Sequence, residues 1–322
     1  MISRFILGRV AQGLVVLIFV SVISFAIINA APGDPALALF GGQAQRLTSA
    51  ERIRINNTFG VDKSITERYL KWAGQMLKGD LGVSYREGRK VIDILRERLP
   101  HTLILFSSSM ILIIVFSILL GIKGGLHEAS FWDKGLSVAS IIFSSIPAFW
   151  LGILGILVFS VYFHILPSSG TESLREGGDF ADRLKHLILP TIVMASAHIG
   201  LYARFIQEKI KEENKLYYVQ VARANGMEER YLVKGILKNA IVPYINYLGI
   251  TIPGFFGGSI VIESVFSWAG LGQLSVKATL TRDYPVLMGC IMLAGIIVVT
   301  SLLITDILSL LVNPKLRRQV AK

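Results

Sequence analysis

The chain has 322 residues, of which 52% are hydrophobic, and its mean hydropathy is +0.58. So apolar a composition excludes a water-soluble domain of this length and predicts a protein of the lipid bilayer. The formal net charge is +11. No basic stripe with interleaved aromatic side chains lies in a polar domain, so this charge does not indicate a nucleic-acid-binding protein.

Six apolar stretches are long enough to cross the hydrocarbon of a bilayer, which takes a helix of about 20 residues. They cover residues 10–31, 103–122, 136–163, 187–206, 240–262 and 284–312. The sequence therefore predicts an all-α membrane protein, a polytopic bundle of six transmembrane helices with both termini on one side. With the N-terminus inside, the short inner segments carry fifteen lysines and arginines and the short outer loops carry five. Because short loops rich in lysine and arginine stay on the cytoplasmic side of the membrane, we expect both termini in the cytoplasm.

The first transmembrane helix is predicted within residues 1–32, where Arg4 and Arg9 precede the apolar run. A cleavable signal peptide is the alternative, since the run ends in small residues. Its apolar part is longer than the roughly 7 to 15 residues of a signal peptide. We therefore interpret the run as a retained span, which Pro32 and Gly33 end.

Residues 33–100 form a polar connection that is long enough to fold as a small cap outside the membrane. Aromatic and apolar side chains recur at helical spacing over residues 69–77, and Gly79 and Gly82 predict the turn that ends this helix. A solvated linker is the alternative. Tyr69 and Trp72 at this spacing favour a folded, extracytoplasmic cap loop.

Pro147 lies in the middle of the third span, where its ring opens the helical hydrogen-bond ladder. Such an opening is tolerated where neighbouring helices or water bond the freed carbonyl groups. Two histidines also lie in spans. We interpret His164, at the outer end of the third span, as an interfacial residue, and His198, in the fourth span, as a structural one, and expect no metal site.

Residues 207–239 are polar and lie between two apolar spans. The first half reads as one helix that ends near Ala224, and Asn225-Gly226 predicts a left-handed turn past its C-cap. Acidic residues then precede basic ones, the order that the helix macrodipole favours in a second helix. A solvated loop is the alternative, but two helices fixed to the membrane at both ends suit contact with a partner protein. We call residues 207–239 the docking segment.

The fifth span contains Pro243, Pro253, Gly254, Gly257 and Gly258. The sequence predicts that it is the least regular helix of the chain. Small residues permit close contacts between helices, and broken helices expose backbone groups to a cavity. This span is therefore a candidate for the lining of a pathway.

Two acidic residues lie in or beside the last two spans. Glu263 is a candidate functional residue because it is ionisable and lies at the edge of a span. An acceptor for nearby amides or for Arg282 is an equal alternative. We interpret Asp306 as a packing partner. No Walker A sequence, HExxH zinc motif or GxSxG nucleophile motif occurs, so we expect no catalytic residue.

Several strings of this sequence match one family of transport proteins. In and after the docking segment, the matching residues are, in order, Tyr218, Ala222, Arg223, Ala224, Asn225, Gly226, Lys238, Asn239, Ala240 and Pro243. Further matches are PGDP at residues 32–35, GDLG-S at 79–84, SIPAFW at 145–150, and Glu263, Phe266, Gly270, Leu271, Gly272, Asp283, Tyr284 and Pro285. The chain resembles the membrane subunits of ATP-binding cassette importers, in the form of the first permease of the dipeptide, oligopeptide and nickel systems. Gln220-Val221 and Ala269 depart from the general pattern, the former as is usual in this branch.

The resemblance implies a permease subunit that forms the translocation pathway for peptides, with nickel or a metal chelate as the alternative cargo. The docking segment would be a cytoplasmic coupling helix pair. Its ATPase-coupling residues would be Tyr218, Ala222, Arg223, Ala224, Asn225, Gly226, Lys238, Asn239 and Pro243. Candidates for the pathway or its structure are Pro147, Phe149, Trp150, Gly254, Gly257, Gly258 and Glu263.

The resemblance also implies partners and a place in the cell. The partners are a second, homologous permease subunit, two cytoplasmic ATPase subunits and an extracytoplasmic substrate-binding protein. ATP and Mg²⁺ would bind to the ATPases, so no cofactor is expected in this chain. Residues 101–322 would form a permease core of five transmembrane helices in the cytoplasmic, or inner, membrane of a bacterium or archaeon. An intramembrane enzyme and a secondary transporter are remote alternatives, because ionisable groups do not converge and inverted repeats are not evident.

Overall fold

A computed structural model of the chain describes residues 2–30, 48, 63–173 and 178–312, so the PGDP turn lies outside the described residues. Within these ranges the regular structure is helical, apart from an isolated antiparallel bridge between Val83 and Lys90. The ten α-helices of this part of the chain are α1 (Ile2–Ala30), α2 (Ile65–Leu77), α3 (Val91–Leu126), α4 (Phe131–Ser145), α5 (Ala148–Gly155), α6 (Phe180–Asn214), α7 (Tyr217–Ala224), α8 (Glu229–Val265), α9 (Leu271–Leu280) and α10 (Tyr284–Val312).

Five of the described helices are long and apolar enough to cross a membrane, namely α1, α3, α6, α8 and α10. A sixth span results if α4 and α5 are counted together with the π-helical turn Ile156–Tyr162, which extends α5. These helices confirm the predicted all-α, polytopic membrane fold.

The third predicted span is not one continuous helix. Its two halves, α4 and α5, are bent by 93° at a short break. Pro147 has no amide hydrogen to continue the helical ladder, and the residue before a proline is driven out of the helical region. Ile146 accordingly has an extended backbone, with ψ of 126°. Pro147 therefore breaks the span, whereas the sequence predicted only an opened ladder.

The fifth predicted span is more regular than expected. Helix α8 is uninterrupted, although Pro243 and Pro253 both lie inside it. A neighbouring helix holds it between the two prolines, where the hydroxyl groups of Tyr244 and Ser117 share a 2.6 Å hydrogen bond. The prediction that this is the least regular helix is therefore wrong, because packing against neighbours maintains a proline-containing helix.

The chain divides into two compact units, one made of residues 1–8, 103–268 and 300–322, the other of residues 9–102 and 269–299. The core of the first unit contains fully buried aromatic side chains of α6 and α8. The ring of Tyr202 meets those of Tyr244 and Tyr247 edge to face, at centroid distances of 6.4 and 5.3 Å. This aromatic core fixes α6 against α8, the two helices that flank the docking segment.

In the second unit, α2 is the helix that the sequence predicts for the cap. The Ser64 hydroxyl caps it by accepting a 3.2 Å hydrogen bond from the amide of Glu67. The rings of Tyr69 and Trp72 lie 5.5 and 5.7 Å from that of Phe25 in α1. The helix is therefore confirmed and is attached to the first span, while the role of residues 33–100 as a cap stays a prediction.

Asp283 joins two stretches of the second unit that lie far apart in the chain. The side chains of Asp283 and Ser84 are buried, and the Ser84 hydroxyl donates a 2.5 Å hydrogen bond to Asp283 Oδ2. The amide of Tyr85 donates a 3.1 Å bond to Asp283 Oδ1. Burial, together with the negative charge of Asp283, raises the pKa of Tyr85 to about 12. The turn after GDLG is thus fixed to the residue that precedes α10.

Replacing Asp283 should loosen this turn. In Asp283→Asn, an amide nitrogen replaces one of the two acceptor oxygens, so the Ser84 hydroxyl or the Tyr85 amide loses its acceptor at a cost of about 1–3 kcal/mol. The measurements are the midpoint of thermal unfolding in detergent and the rate of limited proteolysis within residues 82–90. Glu87→Gln, an exposed change in the same turn, is the control and should shift neither. Equal behaviour of the two variants would show that Asp283 does not hold the turn.

Candidate functional site

The docking segment consists of the end of α6, the short helix α7 and the start of α8. Leu216, between α6 and α7, has an extended backbone with φ of −68° and ψ of 145°. The predicted helix end at Ala224 is confirmed, but the prediction of one continuous helix up to that point is wrong, because the chain bends at Leu216 and begins a new helix. The bend directs Val219 into the apolar core, where it is fully buried in the same cluster as Leu232 of α8.

The turn between α7 and α8 has the geometry that the sequence predicts. Gly226 has φ of +80°, a left-handed conformation that glycine adopts without strain. The amide of Gly226 donates to the carbonyl of Arg223, and the amide of Met227 donates to that of Ala222, both at 3.1 Å. These two bonds form a Schellman motif, which satisfies the last carbonyl groups of α7. The turn therefore ends α7 with a defined backbone path.

A first polar cluster ties α7 to both long helices. The Tyr218 hydroxyl donates a 2.8 Å hydrogen bond to Glu213 of α6. The Asn239 side-chain amide of α8 donates to Tyr218 Oη at 3.0 Å and to Glu213 Oε2 at 3.2 Å. Partial burial, and then the hydrogen bond with Glu213, raise the pKa of Tyr218 above its ordinary value. Tyr218 thus remains a neutral donor and joins three helices.

A second polar cluster is centred on Arg223. Its guanidinium donates a 2.8 Å hydrogen bond to Glu229 at the start of α8 and a 3.0 Å bond to Asn214 at the end of α6. The hydrogen bond with Glu229 raises the pKa of Arg223. The charge of Arg223 is thus engaged within the chain, and its expected contact with a partner protein stays a prediction.

Sequence reasoning missed Glu213, Asn214 and Glu229, which complete these two clusters. Each pairs with a residue five to nine positions away across a helix end. The spacing rules of a single helix apply only to residues three or four positions apart on one continuous helix. No periodic signal could therefore have identified these partners.

One exposed side of α7, together with the turn that follows this helix, forms an open groove of about 610 Å³. Large apolar and aromatic side chains are exposed along it, most of all Tyr217, which is 81% exposed, followed by Met227, Tyr218 and Val221. The groove is lined by Tyr217, Tyr218, Val221, Ala222, Asn225, Gly226 and Met227. An apolar surface with a polar surround and a fixed backbone suits contact with another protein. Ala224 and Lys238 are also exposed, whereas Pro243 lies farther along α8.

The pathway candidates of the third span lie at its break. Pro147 directly precedes α5, and the side chains of Phe149 and Trp150 are each 47% exposed. A Cβ at Gly152 would lie 3.0 Å from Val265 of α8, so α5 packs closely against the end of that helix. The break therefore presents two aromatic side chains while α5 stays attached to α8.

The pathway candidates of α8 differ in how closely other helices pack against them. A Cβ at Gly254, Gly257 or Gly258 would meet nothing within 4 Å, so the close helix contacts expected of these glycines do not occur within the described chain. The close contact is instead at Gly249, which lies against Thr305 of α10. Glu263 is fully buried near the end of α8. The three open glycines leave a strip of α8 uncovered in this chain.

The apolar helices define a multi-pass membrane protein, and they are joined to a helix pair that presents an exposed groove. The family described as "Binding-protein-dependent transport system inner membrane component" matches residues 113–318, and the corresponding N-terminal family of such membrane components matches residues 1–106. The chain belongs to this family of inner-membrane transport components. It is therefore a transport subunit and not an enzyme.

Among the relatives that match almost the whole chain are two peptide permeases. The oligopeptide transport system permease protein AppB of Bacillus subtilis is 36% identical over 316 residues, which is 98% of this chain and 99% of that protein. The di/tripeptide transport system permease protein DppB of Pseudomonas aeruginosa is 30% identical over 319 residues, 93% of this chain and 94% of that protein. These similarities confirm the resemblance found in the sequence.

The glycine turn can be tested by two substitutions at one position. In Gly226→Val the left-handed backbone is strained by about 1–2 kcal/mol, although a side chain has room there. In Gly226→Asn the strain is smaller, because asparagine tolerates this conformation. Hydrogen exchange of the amides in residues 217–229 should therefore accelerate about 5- to 30-fold in the valine variant and much less in the asparagine variant. Equal exchange in both variants would show that the turn does not depend on its φ angle.

Proposed function

We propose that this chain is the permease subunit of an ATP-driven importer and that the importer carries peptides. Membership of the binding-protein-dependent transport family supports the first part. The second is supported by the names of the two relatives, which specify oligopeptide and di/tripeptide transport over nearly the whole chain. Neither name mentions nickel or a metal chelate, so the peptide assignment is favoured over that alternative.

The assembly that we propose contains this chain, a second homologous permease, two cytoplasmic ATPases and an extracytoplasmic substrate-binding protein. The family description itself makes transport dependent on a binding protein. ATP and Mg²⁺ would bind to the ATPases, and this chain would supply no cofactor site. Residues 1–32 would form the first span, residues 33–100 the cap that meets the binding protein, and residues 101–322 the core with the docking segment.

The observation that carries the coupling role is the exposed groove of α7 on a backbone fixed by two polar clusters. An ATPase seated on this groove would displace α7, and the Tyr218 and Arg223 clusters would transmit the displacement to α8. Because α8 is unbroken from Glu229 to Val265, it acts as a lever that reaches from the groove into the membrane. The pathway would lie along the open glycine strip of α8, with Glu263 and the break at Pro147 beside it.

Bulk in the groove tests the coupling role. Ala222→Trp should exclude the ATPase from the groove, so that the ATPase no longer co-purifies and ATP-dependent peptide uptake into proteoliposomes falls at least about tenfold, as for loss of a central contact. Lys234→Trp places the same side chain on an exposed position of α8 outside the groove lining and is the control. Normal ATPase association and uptake in Ala222→Trp would overturn docking at this groove.

The orientation is tested by cysteine labelling in a Cys290→Ala background. Single variants Lys234→Cys and Lys71→Cys place thiols on exposed positions of the docking segment and of α2. We expect a membrane-impermeant maleimide to label Lys71→Cys in intact cells and Lys234→Cys only after permeabilisation. Labelling of both positions in intact cells would refute the proposed topology, with both termini in the cytoplasm.

A further inference from the structure

Asp133, at the start of α4, belongs to a buried polar cluster with Gln207 and Lys211 of α6. Asp133 Oδ1 accepts hydrogen bonds from the Gln207 side-chain amide at 2.7 Å and from the Lys211 ammonium at 3.0 Å. Asp133 Oδ2 accepts a 2.8 Å bond from the amide of Ala129. The Lys211 and Asp133 side chains are only 13% and 14% exposed, and Gln207 is fully buried. An ion pair is thus largely removed from water where α4 meets α6.

Close helix packing surrounds this cluster. A Cβ at Gly124 of α3 would lie 2.7 Å from Gln207 Nε2, so only glycine leaves room for the Gln207 amide to reach Asp133. Farther along α6, a Cβ at Gly200 would lie 2.6 Å from the Cα of Ser140 in α4. Helix α4 is therefore attached to α6 at two places, and it cannot slide along α6 without losing one of them.

The two attached helices lead in different directions. Helix α6 continues through Leu216 into α7 and its groove, whereas α4 leads to the 93° break at Pro147. We propose that Asp133 is a positioning residue which, through Lys211 and Gln207, makes the broken span follow the movement of the docking segment. This inference rests on the proposed function, since it assigns a second route for coupling beside that through α8.

The ionic character of the cluster supports a positioning role. A buried ion pair adds little net stability, but removal of Lys211 leaves the Asp133 carboxylate without its counter-charge, so the intact pair favours one arrangement of its two helices. When Asp133 is removed, Lys211 keeps a 3.2 Å ion pair with Glu208 of its own helix and loses its ionic connection to α4. A second ion pair, Glu128–Lys215 at 2.6 Å, connects the same two stretches of chain. Its side chains are 50% and 64% exposed, so water competes for their hydrogen bonds. This pair therefore contributes little to keeping the two stretches of chain together. This exposed pair provides a matched control.

The test uses the complete complex in proteoliposomes and measures peptide uptake and ATP turnover together. Asp133→Asn and Lys211→Gln should each leave the complex assembled and turning over ATP but lower peptide uptake per ATP by about tenfold, and the double variant should do no worse than either single one. Glu128→Gln, which breaks the exposed pair from outside the docking segment, should change this ratio by no more than about twofold.

A covalent replacement of the ion pair separates positioning from folding within one sample. The double variant Asp133→Cys and Lys211→Cys, in a Cys290→Ala background, should be uncoupled as purified and should regain uptake per ATP when a short bifunctional thiol reagent joins the two positions. The same protein sample is compared before and after the two positions are joined, so differences in folding yield do not affect the comparison of uptake per ATP.

Three results would overturn the inference. These are unchanged uptake per ATP in Asp133→Asn, a parallel loss of assembly, ATP turnover and uptake, which marks a merely structural role, and no recovery when the two positions are joined. Failure of the proposed function has a different signature. In that case the unsubstituted complex itself shows no ATP-dependent peptide uptake.

Discussion

Backbone hydrogen bonding in a medium without water is the constraint on which this structure depends. In hydrocarbon, each unpaired amide or carbonyl costs several kcal/mol, so spans are helical and departures from the helix require neighbours that bond the freed groups. Four prolines lie inside described helices beyond the first turn, Pro100 in α3, Pro190 in α6, and Pro243 and Pro253 in α8. Pro147 alone separates two helices among the described spans, because the backbone before it is extended and the chain turns by 93°.

The continuity of α8 has a mechanical consequence. A helix that is hydrogen-bonded from the docking segment to Val265 transmits a displacement along its length, whereas a broken one absorbs it at the break. The polar clusters around Tyr218 and Arg223 lie near the N-terminal end of α8, beside the groove that we propose as the docking site. The irregular element, α4 with α5, lies beside this rigid one, and the close contact of Gly152 with Val265 keeps the two together.

Charge is distributed according to the cost of burying it. Most ion pairs of the described residues are exposed and contribute little to the stability of the fold. The pair between Asp133 and Lys211 is an exception, because it is largely buried and carries two further hydrogen-bond donors on the carboxylate. A buried pair where two helices join selects one packing arrangement rather than adding stability.

The sequence by itself determined the features that follow from local rules. Apolar length determined the spans, because about 20 residues of helix are needed to cross hydrocarbon. The left-handed turn at Gly226 and the helix that carries Tyr69 and Trp72 followed from single-residue conformational preference and from helical spacing. The motifs that match the transport family were likewise recognisable from residue order alone. Membership of that family could therefore be inferred before the fold was known.

Only the tertiary structure decided the contacts between residues that are distant in the chain. Ser84 meets Asp283 across 199 positions, and Lys211 meets Asp133 across 78. Such pairs have no periodic signature, because their distance depends on how whole helices pack. Helix packing also explains why Pro147 breaks its span while Pro243 does not. Each proline frees the same backbone groups, and the packing of the neighbouring helices determines whether the helix continues.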